Sequence, residues 1–421
     1  MIRETWLTTL AAAGFFLAAP AQAVEIHIAC YADGNECVVT DMLGKRFTQA
    51  NPDVTVVVDT VPYKSIQESL PVQLAAGQGP DIARVTDFGA ISRYFLDMRP
   101  LLKDADYWDK NFAGTLPWMR ATVQDRGIYG LLTQLTVTGP IVNATLFEQA
   151  GVALPGPKAT WDEWAVAAKK VAVATKTEFG MAMDRSGQRF ASGSISYGAK
   201  YFTAEGAPQT VDDGFKAFAQ RFVGWNKDGT YEKEVWAAAG GGTYRDAFED
   251  FANGRVVVYV SGSWQVSRLQ SSIGDNFDWK VVPPPCGPAA CTPMPGGAAL
   301  VAFKGTKSPK EVARFLDYLA SEPVYAEMAA KTANIPAQSA LQTAGVKYDL
   351  PPKAAAALGV YTQAATQISP VAYQFQGYIL NRPMFNATAA RLSQVIVGEM
   401  SLDQAYARID DDVKTALAAS K

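Results

Sequence analysis

The side chains that ordinarily carry out covalent chemistry are sparse in this chain. His27 is its only histidine. It lies in an alternating stretch that reads as a strand, where an imidazole is a structural residue more often than a general base. No GxSxG elbow, Walker loop or HExxH helix occurs, so the motifs that place a nucleophile, a nucleotide phosphate or a catalytic zinc are missing. Gly240-Gly241-Gly242 lacks the strand–helix context of a dinucleotide loop and reads as a turn. Acidic residues are plentiful, and two of them facing across a cleft could hydrolyse a glycoside. Spacing along the chain does not show which of them face one another, so a hydrolase stays among the alternatives. The four cysteines form two close pairs, Cys30 with Cys37 and Cys286 with Cys291. Neither spacing is CxxC and histidine partners are lacking, which disfavours zinc. In an oxidising compartment the two local disulfides are the favoured pairing, with crossed connectivities left open. No cofactor and no metal are implied.

The compartment can be read from the N-terminus. Met1-Ile2-Arg3 precedes an apolar stretch from Leu7 to Pro20, and Ala21-Gln22-Ala23 follows. A charged start, a short apolar core and small residues at the peptidase positions make an export signal. Cleavage is expected after Ala23, leaving a mature chain from Val24 in the periplasm. The apolar run is too short to span a bilayer, which needs about 20 such residues. No cysteine directly follows the cleavage site, so no lipid anchor is expected. The 38 basic and 41 acidic residues nearly balance, with no basic block. That argues against nucleic acid or an anionic membrane surface as the partner. At 421 residues the chain exceeds what one core usually supports, so two domains are expected. Nine tryptophans and seventeen tyrosines would suit a binding cleft as well as a core.

The elements that must position any site alternate. Val24 to Tyr31 reads as a strand, Val38 to Ala50 as a helix, and Val54 to Val58 as a buried β-branched strand. Ser65 to Ala76 is a second helix, and Asp81 to Val85 a third strand. This is the pattern of βαβ units in a layered α/β domain. Ile128 to Val142 is too polar and Gly-interrupted for a core helix and reads as an extended segment bridging two domains. Thr160 with Glu163 forms a helix-start box. A strand at Arg255–Ser261, a Pro-rich loop, a strand at Ala298–Phe303 and a helix at Pro309–Ser321 follow. The stretch from about Gln338 onward is Ala-rich and helical.

Several ordered segments carry a resemblance. They are Phe47-Thr48-Gln49-Ala50-Asn51-Pro52-Asp53-Val54, Gly77-Gln78-Gly79-Pro80-Asp81-Ile82, and Leu146-Phe147-Glu148-Gln149-Ala150-Gly151-Val152 with Thr160-Trp161-Asp162-Glu163-Trp164. Phe251-Ala252-Asn253-Gly254-Arg255 with Ser261-Gly262-Ser263-Trp264, then Gly296-Gly297 and Asn334-Ile335-Pro336-Ala337, continue the series. Together they resemble family 1 extracellular solute-binding proteins, the carbohydrate-binding components of ABC importers related to maltose-binding protein. The resemblance implies an α/β, two-lobed periplasmic binding protein fold, type II-like, with hinge crossovers near Leu132–Leu135, Val258–Gly262 and Gln338. The lobes would be 24–133 plus 290–337 and 134–289 plus 338–421. It implies a non-catalytic monomer that closes on a sugar, short oligosaccharide or glycoside and delivers it to permease subunits. An anionic sugar derivative is the alternative ligand, and a secreted glycoside hydrolase the alternative of another class.

A pyranose has an apolar face and a rim of hydroxyls, so its site needs an aromatic plane and polar partners. Trp264, in the Gly-x-Trp turn, is the expected plane. Asp87 and Asp33 follow strands at the edge where an open α/β sheet binds ligands. Tyr31, Tyr63, Gln67, Thr136 and Thr138 are further candidates, and Gly296 and Gly297 could admit a ligand to the backbone. Arg382, in Asn381-Arg382-Pro383, matches a family position where Arg often precedes Pro. With Thr243 it would serve an anionic ligand. The two cysteine pairs, and the lack of a Trp in Tyr31-Ala32-Asp33-Gly34, depart from the family pattern.

Overall fold

The structure is a computed structural model that describes residues 23–122, 124–237 and 244–419. The export segment up to Gln22 lies outside these, as do Gly240-Gly241-Gly242 and Thr243.

Strand β1 (Val24–Cys30) pairs in parallel with β2 (Val54–Thr60) on one side and β3 (Ile82–Val85) on the other. Parallel neighbours need crossover helices, and Glu36–Ala50 and Tyr63–Ala75 supply them. The helices begin at Glu36 and Tyr63, two residues before the expected Val38 and Ser65. Strand β4 (Gly130–Asn143) is buried along its whole length. Two further strands, β5 (Phe179–Met183) and β6 (Val256–Gly262), pair in parallel, and β7 (Trp279–Val281) lies against the end of β4. Strand β8 (Pro295–Ala302) completes a sheet ordered β2-β1-β3-β8-β4-β6-β5.

The bridging segment expected at Ile128–Val142 is β4, which serves both lobes. Its Gly130–Val137 half pairs with β8, and its Thr138–Val142 half with β6. The partner change therefore falls between Val137 and Thr138, just after the expected Leu132–Leu135. A register shift between Leu132 and Gln134 bends the strand and re-aims Gln134, which hydrogen-bonds Arg84 and Asn334.

The second expected crossing, Val258–Gly262, is corrected. Strand β6 pairs only within the second lobe, with β5 and β4. A fully buried apolar strand reads the same in either lobe, so its sequence could not tell them apart. The chain returns instead at Met294. Its backbone bonds Thr138 in both directions, and β8 starts at the next residue. Gln338 is also displaced from a crossing. It is fully buried in the first lobe and donates to Tyr107 and the Ala320 carbonyl. The helix Pro352–Ala365 then packs on β4 and β7.

The expected helix-start box at Thr160 is present, with reciprocal bonds to Glu163. Both local cysteine pairs are disulfides, Cys30–Cys37 and Cys286–Cys291. The first closes the loop between β1 and its helix. Within that loop the Glu36 carboxylate accepts the Asp33 and Gly34 N–H groups at 3.1 and 2.8 Å. Replacing Cys30 and Cys37 by serine is expected to lower stability by about 2–3 kcal/mol through the unfolded chain's regained freedom. Urea unfolding of the double variant measures this, and an unchanged midpoint would show that the crosslink is redundant.

Candidate ligand-binding site

The carboxyl ends of β1 and β3, the partner change in β4, and the turns after β5 and β6 converge on one cavity of about 440 Å³. Sites for small ligands fall between about 300 and 1,000 Å³.

Of the residues singled out from sequence, Tyr31, Asp33, Tyr63, Gln67, Thr136, Trp264, Gly296, Gly297 and Arg382 line this cavity. Two described candidates do not. Asp87 lies beyond Arg382, its Oδ2 3.4 Å from the Arg382 Nε, in a neighbouring depression. The end of a strand is the binding edge of such a sheet, but a cation beside Asp87 has claimed its carboxylate. Thr138 is buried and its hydroxyl accepts the Met294 N–H at 2.8 Å, which makes it part of the crossing. Thr243 lies outside the described residues.

The first lobe contributes a wall of rings and charges. Tyr31 and Tyr63 meet at 4.7 Å between centroids, and the Tyr63 hydroxyl bonds Thr86 at 2.8 Å. Behind them Arg84, only 1% exposed, stacks 4.1 Å from the Tyr31 ring and donates to the Tyr31 carbonyl at 2.9 Å. Its Nη2 also lies 3.5 Å from Asp33 and 3.9 Å from Glu36. Burial pushes the Asp33 carboxyl up to about 6, although Arg84 draws it down. A ligand hydroxyl donates more strongly to the ionised form of Asp33 than to the protonated one. Affinity is therefore expected to rise as pH rises through about 6 and to level off above it. Calorimetric titration from pH 5 to 8 tests this, and a flat profile would remove Asp33 from the contact.

The second lobe contributes Trp264, in the turn Ser263–Gln265 directly after β6. Gly262 is required for that placement, because a Cβ there would lie 2.0 Å from the indole. The ring is not bare. The Arg189 guanidinium sits 4.1 Å from its centroid and 5.5 Å from that of Tyr244. The expected sugar plane is thus shared with a cation. Gly296 has a similar role on the floor, where a Cβ would come within 2.7 Å of both Gln188 and Thr136.

Sequence reasoning missed Arg185, Gln188, Arg189, Tyr244, Asp246, Arg268 and Gln376, all of which line the cavity. One signal was available. Arg185-Ser186-Gly187-Gln188-Arg189 follows β5 and opens a helix, so the strand-end rule applied to Asp33 points here too. Asp246 is matched by Arg268, which reaches it at 3.0 Å and Glu249 at 2.9 Å.

Known proteins share this architecture. The structure of an ABC substrate-binding protein from Listeria monocytogenes, in complex with cycloalternan, superposes with a TM-score of 0.75 at 17% identity, covering 94% of this chain and 100% of that one. Maltose-bound MalE3 of T. maritima gives 0.74 at 19% identity, covering 94% and 100%. The GacH receptor of Streptomyces glaucescens gives 0.74 at 18% identity, covering 95% and 100%. At such identities the likeness shows the fold. In sequence, a Brucella abortus protein named only as a binding protein is 22% identical over 285 residues, 65% of this chain and 66% of its own length, just under two thirds. The model of the family described as bacterial extracellular solute-binding protein matches residues 39–326. With that match spanning most of the chain, and the two-lobed fold around β4 beside it, the protein is a member of the bacterial extracellular solute-binding proteins.

Proposed function

We propose that the protein binds a neutral sugar, short oligosaccharide or glycoside in the interlobe cavity and delivers it unaltered to the permease of an ABC importer. The observation that carries this is the cavity lining. Partly exposed Tyr63, Tyr244 and Trp264 stand beside carboxylate, amide and guanidinium groups drawn from both lobes. Covering one sugar face with such a ring is worth about 1.5–3 kcal/mol by area. Three solved structures of the same fold hold cycloalternan, maltose and acarbose. The lobes on this reading part where β4 changes partners between Val137 and Thr138 and where the chain returns at Met294, with Gln338 still in the first lobe, and the mature chain acts in the periplasm after cleavage at Ala23.

Arg382, the residue expected to hold an anionic ligand, is paired with Asp87. Hydrolysis is disfavoured, because the two lining carboxylates, Asp33 and Asp246, are each tied to a guanidinium. A thermal-shift screen with maltose, maltotriose, trehalose and cellobiose tests the proposal. A ligand at one hundred times its Kd stabilises the fold by about 2.7 kcal/mol. Chromatography of the recovered sugar should show it intact. Cleaved product, or no shift with any sugar, contradicts the proposal.

A further inference from the structure

We propose that Arg189 is the specificity-determining residue of the cleft, and that it selects a neutral, oxygen-rich sugar over the acidic derivatives of that sugar. This rests on the carbohydrate reading above. Arg189 belongs to the helix Gly187–Ser196, lines the cavity and is 9% exposed. A guanidinium has several N–H donors and no acceptor, and a buried donor left unmatched is costly. Among the described residues Arg189 makes one hydrogen bond, from Nη1 to Oε1 of Gln188. Its Nε–H is buried and has no acceptor.

The obvious partner is Asp184, which is fully buried, but its Oδ2 lies 3.7 Å from Nε, beyond hydrogen-bond reach. That carboxylate is already saturated. Oδ1 accepts the Tyr259 hydroxyl at 2.7 Å and the Ala247 N–H at 3.2 Å. Oδ2 accepts the Ser261 hydroxyl at 2.6 Å and the Tyr244 hydroxyl at 3.0 Å. Asp184 therefore offsets the charge of Arg189 without giving it a lone pair. What the guanidinium lacks is acceptors, and it has no need of another negative charge.

Hydroxyl, ring and glycosidic oxygens meet that need. A carboxylate or phosphate would also accept, but it would bring a charge that Asp184 has already matched, into a cavity that Asp33 also lines. Of the neighbouring cations, Arg268 is held by Asp246 and Glu249, and Arg382 by Asp87. Asp33 and Arg189 come from different lobes, so a sugar that donates to one and accepts from the other ties the lobes together.

Calorimetry with maltose, maltotriose, trehalose and cellobiose, and with the aldonate or 6-phosphate of whichever binds best, tests the assignment. The neutral sugar is expected to bind at least tenfold more tightly than its acid. Arg189→Met should weaken the neutral sugar at least tenfold. Arg189→Lys, which keeps the charge opposite Asp184 but loses the planar fork, should weaken it to a lesser extent. Arg189 also favours the Asp33 carboxylate, so Arg189→Met should move the midpoint of the pH profile upward. Tighter binding of the acid by the wild type, or wild-type affinity in both variants, overturns the assignment while leaving the carbohydrate reading in place. A wild type that binds neither neutral nor acidic sugar overturns both.

Discussion

Asp184→Ala is expected to cost about 3–5 kcal/mol of folding stability, because removing one member of a buried pair strands the other charge. The substitution leaves Arg189 without its counter-charge, and it removes the acceptor of the Tyr244, Tyr259 and Ser261 hydroxyls together. Tyr259 and Ser261 lie on β6 and Tyr244 faces the cavity, so both the strand and the binding wall lose their anchor. Urea unfolding followed by circular dichroism gives the value. A loss under about 1 kcal/mol, the net worth of one ordinary hydrogen bond, would mean that water or a shifted side chain can take the place of Asp184.

Arg84→Met is the counterpart in the first lobe, with an expected loss of about 3–5 kcal/mol on the same ground. Arg84 holds the Tyr31 carbonyl, Gln134 and Asp33 around a single buried guanidinium, with Glu36 3.9 Å away. Methionine fills much of the volume but offers neither charge nor donors. Asp33 then loses the cation that draws its carboxyl down, so its value should climb above the present one of about 6. The pH at which affinity recovers should move up with it. A stability loss with an unmoved pH profile would show that Arg84 supports the loop without tuning Asp33.

The parts of this fold that sequence reveals are those set by local pattern. The β-branched run Val54–Val58, the alternation from Val24 and the Thr160–Glu163 box each act within a few residues, and each element forms where expected. The bridging role of β4 was legible because a strand that is polar yet rich in Val, Leu and Thr suits neither a core helix nor a surface loop. Where β4 changes partners was not legible, since Thr138 is fixed by Met294, far along the chain. The second lobe's strand β6 offered no clue to its neighbours, because Val256–Val260 would be buried in either lobe. The site divides in the same way. Tyr31 and Asp33 follow from the edge of the first strand, whereas the diversion of Asp87 depends on Arg382 arriving from a distant helix. Arg189 carries no motif. Its importance comes from a carboxylate whose lone pairs are taken by strand β6 and by the Tyr244–Ala247 segment, which only the folded chain shows.

The central claim is that one sugar is gripped from both lobes at once, and amide hydrogen exchange with and without the best-binding neutral sugar tests it most directly. Simultaneous slowing in the Tyr31–Gly34 loop and the Arg185–Arg189 turn is the predicted result. Slowing in only one of the two, or at a surface remote from both, would contradict the account.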